Sequence, residues 1–137
     1  MKVLFWFFDE LKWNPSMKTL DKADDALPGS VEKTVAAFVH VEPADLETPN
    51  ASKVETKLVK NCKWLAGKWK VKRVVLHSFA HLGSEKAEPD ASRVILSNAR
   101  QRLEKSGYEV FETPYGYFLD ISFNAPGHPL ARIFKEF

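Results

Sequence analysis

Val71-Lys72-Arg73-Val74-Val75-Leu76-His77-Ser78-Phe79 runs without a break into Ala80-His81-Leu82-Gly83-Ser84-Glu85. The first nine residues form an apolar, β-branched run, short enough to be a buried strand. The next six contain the small and polar residues with which a chain turns. A strand that ends in such a turn delivers its last residues to a crevice instead of a core, and α/β folds place ligand sites at such ends. The fold follows by working outward from this strand.

Upstream, Val3–Phe8 is a second continuous apolar run, suited to a strand covered on both faces and ending at Asp9-Glu10. Leu11–Leu20 is amphipathic but interrupted by Asn14-Pro15, which predicts a short edge strand or hairpin return. Asp21–Ser30 reads as a loop, and Lys33–Glu42 as a strong strand closed by Pro43. Pro49-Asn50 opens a helix with Asn50 or Ser52 as N-cap. Its buried stripe is Val54, Leu58, Cys62 and Leu65, and Gly67 is its end. Pro89-Asp90-Ala91-Ser92 opens a second helix, striped by Ile95, Ala99 and Leu103, with Gly107 past its end. Tyr108–Phe111 and Tyr117–Phe123 read as strands joined by the turn Thr113-Pro114-Tyr115-Gly116, and the tail Pro129–Phe137 fits either class. The sum is an α+β domain: a mixed β-sheet with two main helices packed on it.

Bulk properties narrow the function without naming it. A chain of 137 residues that is 45% apolar suits one domain with its own core and is too short for two. A net charge of +2 is only a weak lean towards an anionic partner. The single cysteine, Cys62, excludes a disulfide framework and a cysteine-rich zinc site, and its place on an apolar helix face predicts a buried thiol. No stretch approaches the ~20 apolar residues of a membrane span, and the opening run lacks a cleavage site, so a cytoplasmic protein is expected.

Four histidines are present: His40, His77, His81 and His128. None has metal-ligand spacing, so neither metal nor cofactor is expected. His40 and His77 lie within strands and read as strand residues. His81 stands at the turn after the central strand, with a functional and a structural role both open. His128 lies between Gly127 and Pro129, in a loop. Ser84, His81 and Asp120 would supply a triad, but no nucleophile-elbow pattern surrounds any serine. Lys63, Lys68, Lys70, Lys72 and Arg73 either meet RNA phosphates or form a solvated face.

Three blocks in order, Phe79-Ala80-His81-Leu82-Gly83-Ser84-Glu85, Pro114-Tyr115-Gly116-Tyr117 and Gly127-His128-Pro129-Leu130, resemble the editing domain of archaeal threonyl-tRNA synthetases. The resemblance is strongest from Val71 to Arg132, with a weaker echo at Val3–Phe8 and Val35–Glu42. It implies a D-aminoacyl-tRNA deacylase-like fold and hydrolysis of serine mischarged onto threonine tRNA, sparing Thr-tRNA(Thr). Water held by the RNA 2′-hydroxyl and by backbone groups would be the attacking species.

By position, the resemblance implies catalytic roles for His81, Ala80 and Tyr117. Val41, Phe79, Pro114, Tyr115, Gly116, Phe118, Leu119 and Arg132 would bind substrate. Relatives carry Tyr-Lys where this chain has Phe118-Leu119, and Glu where it has Arg132, so Arg132 is expected to supply the missing cation. The implied partners are the serine-bearing acceptor end of tRNA(Thr), the synthetic part of a threonyl-tRNA synthetase in cis or in trans, and a second copy in a homodimer. Residues 1–137 would be one editing domain, either part of a longer synthetase or a trans-editing protein. The alternatives are a D-aminoacyl-tRNA deacylase, whose characteristic motifs are absent, and an aminoacyl-tRNA-binding module without catalysis.

Overall fold

The structure, a computed structural model, describes residues 1–137. Six strands form one sheet: β1 (Lys2–Lys18), β2 (Gly29–His40), β3 (Arg73–Ser78), β4 (Glu109–Glu112), β5 (Tyr117–Asn124) and β6 (Arg132–Glu136). The spatial order is β4-β3-β2-β1-β5, and β6 also pairs with β1. β1 and β2 are antiparallel, whereas β2-β3 and β3-β4 are parallel. Parallel neighbours need crossovers, supplied by α1 (Asn50–Trp69) and α2 (Pro89–Lys105). The expected mixed sheet with two helices packed on it is therefore what the chain forms.

The helical stripes bury as their spacing predicts. Val54, Leu58, Cys62 and Leu65 of α1 and Ile95, Ala99 and Leu103 of α2 pack on Val3, Phe5, Val35, Ala37, Val39, Val74 and Leu76 of the sheet. Burial pushes the Cys62 thiol up to about 12, so it remains a protonated core group. The opposite sheet face carries a second, aromatic cluster in which Phe8, Trp13 and Phe38 are buried, with Trp6 and Phe79 at its margin.

Several boundaries differ from expectation. First, Val3–Phe8 and Leu11–Leu20 do not form two elements: β1 continues through Asp9-Glu10 and Pro15. Glu10 pairs with both Glu32 and Asn124, and Asp9 accepts from Lys33 Nζ at 2.5 Å, so these charges lie on a partly exposed stretch of sheet. Proline is tolerated because pairing with β2 ends at Trp13 and the β5 register shifts between Pro15 and Met17. Second, neither Asn50 nor Ser52 caps α1; Pro49 holds that position, and the Asn50 amide donates backwards to the Ala44 carbonyl. Third, α1 passes through Gly67 and stops at Lys70, in the left-handed conformation (φ 55°), where Val71 N–H closes onto Ala66 O. Fourth, the tail resolves into a 3-10 turn, Pro129–Ala131, followed by β6, and the Asp21–Ser30 loop ends at Gly29, where β2 begins.

Candidate functional site

β3 ends at Ser78, and the chain then turns tightly. Phe79 N–H bonds Val39 O at 2.9 Å, and His81 N–H bonds Phe79 O at 2.9 Å. These bonds fix the backbone on either side of Ala80, whose own N–H bonds no backbone carbonyl. The loop beyond is clamped from inside the sheet by His40, wholly buried at the end of β2. Its Nδ1 accepts from Leu82 N–H at 3.0 Å, and its Nε2 lies 2.6 Å from Glu85 O. Two residues on, Ala87 N–H bonds Val41 O at 2.9 Å.

The facing lip is the turn into β5. Gly116 has φ +83°, a conformation that L side chains rarely adopt. Three bonds fix this lip. Gly116 O accepts from Thr19 N–H at 2.8 Å, Tyr115 Oη donates to Pro89 O at 2.9 Å, and Tyr117 Oη donates to Asp24 O at 2.8 Å. Both phenols therefore brace the lip. Burial raises the Tyr115 phenol above its ordinary range, opposed by hydrogen bonding to Ser78 and Ser92.

Between loop and lip lies a cavity of about 390 Å³, within the range of small-molecule sites. Val41, Phe79, Ala80, His81, Pro114, Tyr115, Gly116, Tyr117, Phe118 and Leu119 all line it. Arg132 does not. Its guanidinium donates to Pro126 O at 3.0 Å and lies over the Trp6 ring, 5.7 Å from the centroid. His128 is also elsewhere: Nδ1 accepts from Leu130 N–H and the ring meets the edge of Trp69. Lining residues with no sequence signal are Thr19, Leu20, Lys86 and Ser92; Ser78 and Val39 could have been read from the strand ends they occupy.

Two imidazoles line the cavity, and they differ. His77 is buried, with Nδ1 2.8 Å from Thr113 Oγ1 and its ring against Phe38. Burial, with a smaller contribution from nearby His81, lowers it to about 4, so it is neutral at pH 7. His81 is exposed and stands edge-on to Phe79, ring centroids 4.9 Å apart. Ser84 and Asp120 do not line this cavity with His81, and no group of three or more His, Cys, Asp or Glu side chains that could hold a metal ion is present. The arrangement offers an unpaired backbone donor, a solvent-facing imidazole and apolar walls, which suits binding and orienting a polar group.

A second cavity of about 370 Å³ shares the Ser78, Pro114 and Tyr115 wall. Its cations are already engaged, Arg93 with Asp24 at 3.1 Å and Arg100 with Glu104 at 2.7 Å. Three cations of the basic stretch around the end of α1 likewise have local partners. Lys68 lies over Trp64, Lys72 over Tyr108, and Arg73 donates to Glu32 O. No helix is long and apolar enough to cross a membrane.

Residues 1–137 match the family described as the archaea-specific editing domain of threonyl-tRNA synthetase. The chain is similar to the threonine–tRNA ligase of Thermococcus kodakarensis, 32% identical over 97% of this chain and 22% of the relative. It is similar also to those of Methanopyrus kandleri (30%, over 97% and 21%) and Methanococcus aeolicus (30%, over 99% and 21%). The chain thus spans about a fifth of the length of the curated relatives it matches. Among solved structures, the c-Myc DNA unwinding element binding protein has the same fold (TM-score 0.64, 9% identity, 99% of this chain and 98% of that one).

Proposed function

Given that the chain belongs to the family of archaea-specific editing domains of threonyl-tRNA synthetase, we propose that its cavity hydrolyses serine from mischarged threonine tRNA. The observation that carries this reading is the meeting of two sequence blocks. Phe79–His81 and Pro114–Leu119 line one cavity, and the Ala80 N–H beside it bonds no backbone carbonyl.

The chemistry needs little from side chains. Water attacks the ester carbonyl carbon, a C–O bond forms, the bond to the 3′-oxygen breaks, and that oxygen leaves with a proton. In this reading the Ala80 amide binds the carbonyl oxygen as it gains charge, a role suited to a fixed backbone donor. The RNA 2′-hydroxyl and the exposed His81 are the groups that hold the water. Apolar Val41, Phe79 and Pro114 wall the acyl and adenosine ends, and Phe118 and Leu119 close the lip. Serine lacks one methyl of threonine, a difference of only ~1–3 kcal/mol in a synthetic pocket. A second site that excludes the methyl by size removes the error.

The partners are the acceptor end of tRNA(Thr) and the synthetic part of a threonyl-tRNA synthetase, joined in cis or met in trans. A second copy of the chain is proposed to cover β5, whose Phe118, Ile121 and Phe123 stand exposed. The deciding experiment incubates the chain with Ser-tRNA(Thr) and Thr-tRNA(Thr) side by side. Release of serine with threonine spared is expected. Release of neither, despite binding, would leave a binding module, and release of both would remove the sieve.

A further inference from the structure

One charged side chain at the cavity has no part in the chemistry above. Lys86 is the sole Lys, Arg, Asp or Glu among the lining residues. It is exposed, and none of the chain's ion pairs engages it. Its backbone, in contrast, is held on both sides: the Glu85 carbonyl by His40 and the Ala87 amide by Val41 O. An unpaired cation on a fixed backbone thus stands where the cavity meets solvent.

The reading of the cavity as an aminoacylated-RNA site, on which this inference rests, fixes what such a cation can meet. The ester is neutral and the amino acid's ammonium is positive, so the phosphates are the only anions that the ligand carries. A lysine there repels the ammonium and attracts the backbone. We infer that Lys86 is a positioning residue that binds the phosphate on the 5′ side of the terminal nucleoside and sets how deeply the RNA end enters. Arg132 does not line the cavity in the single chain; it donates to Pro126 O.

The test compares the full chain with Lys86→Gln and Lys86→Arg in two assays. One separates KM from kcat for Ser-tRNA(Thr) deacylation. The other follows binding of a fluorescein-labelled, non-acylated RNA minihelix ending in CCA across a salt series. Lys86→Gln is expected to raise KM about tenfold with kcat little changed. It is also expected to flatten the slope of log affinity against log salt by about 0.7, as for one single-strand phosphate contact. Lys86→Arg is expected to restore both. An unchanged KM and salt slope in Lys86→Gln would overturn the inference. So would a loss confined to kcat, which would put the charge on the reacting oxygen, and so would failure of the wild-type chain to bind the minihelix. If the wild-type chain binds but leaves Ser-tRNA(Thr) intact, the hydrolase reading fails by itself. The salt slopes then still decide for or against the phosphate contact.

Discussion

His40 Nε2 lies 2.6 Å from the carbonyl oxygen of Glu85 and, because a backbone carbonyl can only accept, must carry the ring proton. The other nitrogen, Nδ1, is then the acceptor that the Leu82 amide requires. One buried, neutral imidazole in a single tautomer therefore fixes both ends of the Leu82–Glu85 loop, which separates His81 from Lys86.

Replacing His40 by Ala removes both bonds and leaves a hole in the sheet's end. Unfolding free energy is expected to fall by about 3 kcal/mol. Hydrogen exchange at the Leu82 amide should accelerate beyond what that global loss explains. An exchange rate that tracks global stability alone would show that the loop holds itself.

Gly116 is the tightest point of the lip. Its φ is +83°, and a β-carbon built there falls 2.9 Å from Ala23 Cβ. Gly116→Ala therefore adds backbone strain of ~1–2 kcal/mol to a steric contact that displaces the 114–117 turn. A melting temperature lower by about 5 °C is expected, with a larger proportional loss in kcat/KM for Ser-tRNA(Thr). A melt shift with full activity would mean that the lip's position does not matter.

His77 predicts an acid-sensitive fold. The unfolded chain binds a proton at this residue near pH 6.5, whereas the folded chain waits until about 4. Between these values the unfolded state holds more protons, so stability falls as pH falls through that window and is fully present above 6.5. The contribution across the window is ~3 kcal/mol. Urea unfolding of wild type and His77→Asn at pH 7 and pH 4.5 measures it: the variant should lose less stability on acidification. Equal losses would assign the acid sensitivity to other groups.

The two lip tyrosines should separate by burial. Tyr115→Phe leaves the half-buried Pro89 carbonyl without its donor and should cost about 1 kcal/mol. Tyr117→Phe frees the exposed Asp24 carbonyl, which water can satisfy, so a few tenths of a kcal/mol is expected. Urea midpoints of the two variants, at matched slope, read the difference. A reversed order would mean that the Asp21–Pro28 segment depends on Tyr117 more than on its own turns.

Periodicity made most of the fold legible. The α1 stripe of Val54, Leu58, Cys62 and Leu65 and the run through Val74–Leu76 could be read because burial imposes a period on residue type. β1 could not be read as one strand, because charge at Asp9-Glu10 and proline at Pro15 are local signals for a stop. Both are overridden by partners far along the chain, Glu32 and Leu119. The cavity-lining blocks were visible as motifs at strand ends. Lys86 was not, since a lysine in a polar loop carries no pattern until His40 and Val41, some 45 residues upstream, fix the loop's course. Arg132 shows the opposite case: the resemblance gave it a site role, whereas β6 pairing sets it opposite Trp6 in the single chain.

The pairing of β1 with β6 has a consequence for how the chain is made. Lys2 lies opposite Glu136, and the Met1 ammonium bonds the Phe137 carbonyl at 2.7 Å, so two segments far apart in sequence close against each other. During translation the outer edge of Val3–Trp6 stays unpaired until residue 136 has left the ribosome, and no local contact can substitute for it. Contacts this distant in sequence slow folding. A ribosome that stalls before Arg132 would release an apolar strand with a bare edge, the form most prone to pair with another nascent chain.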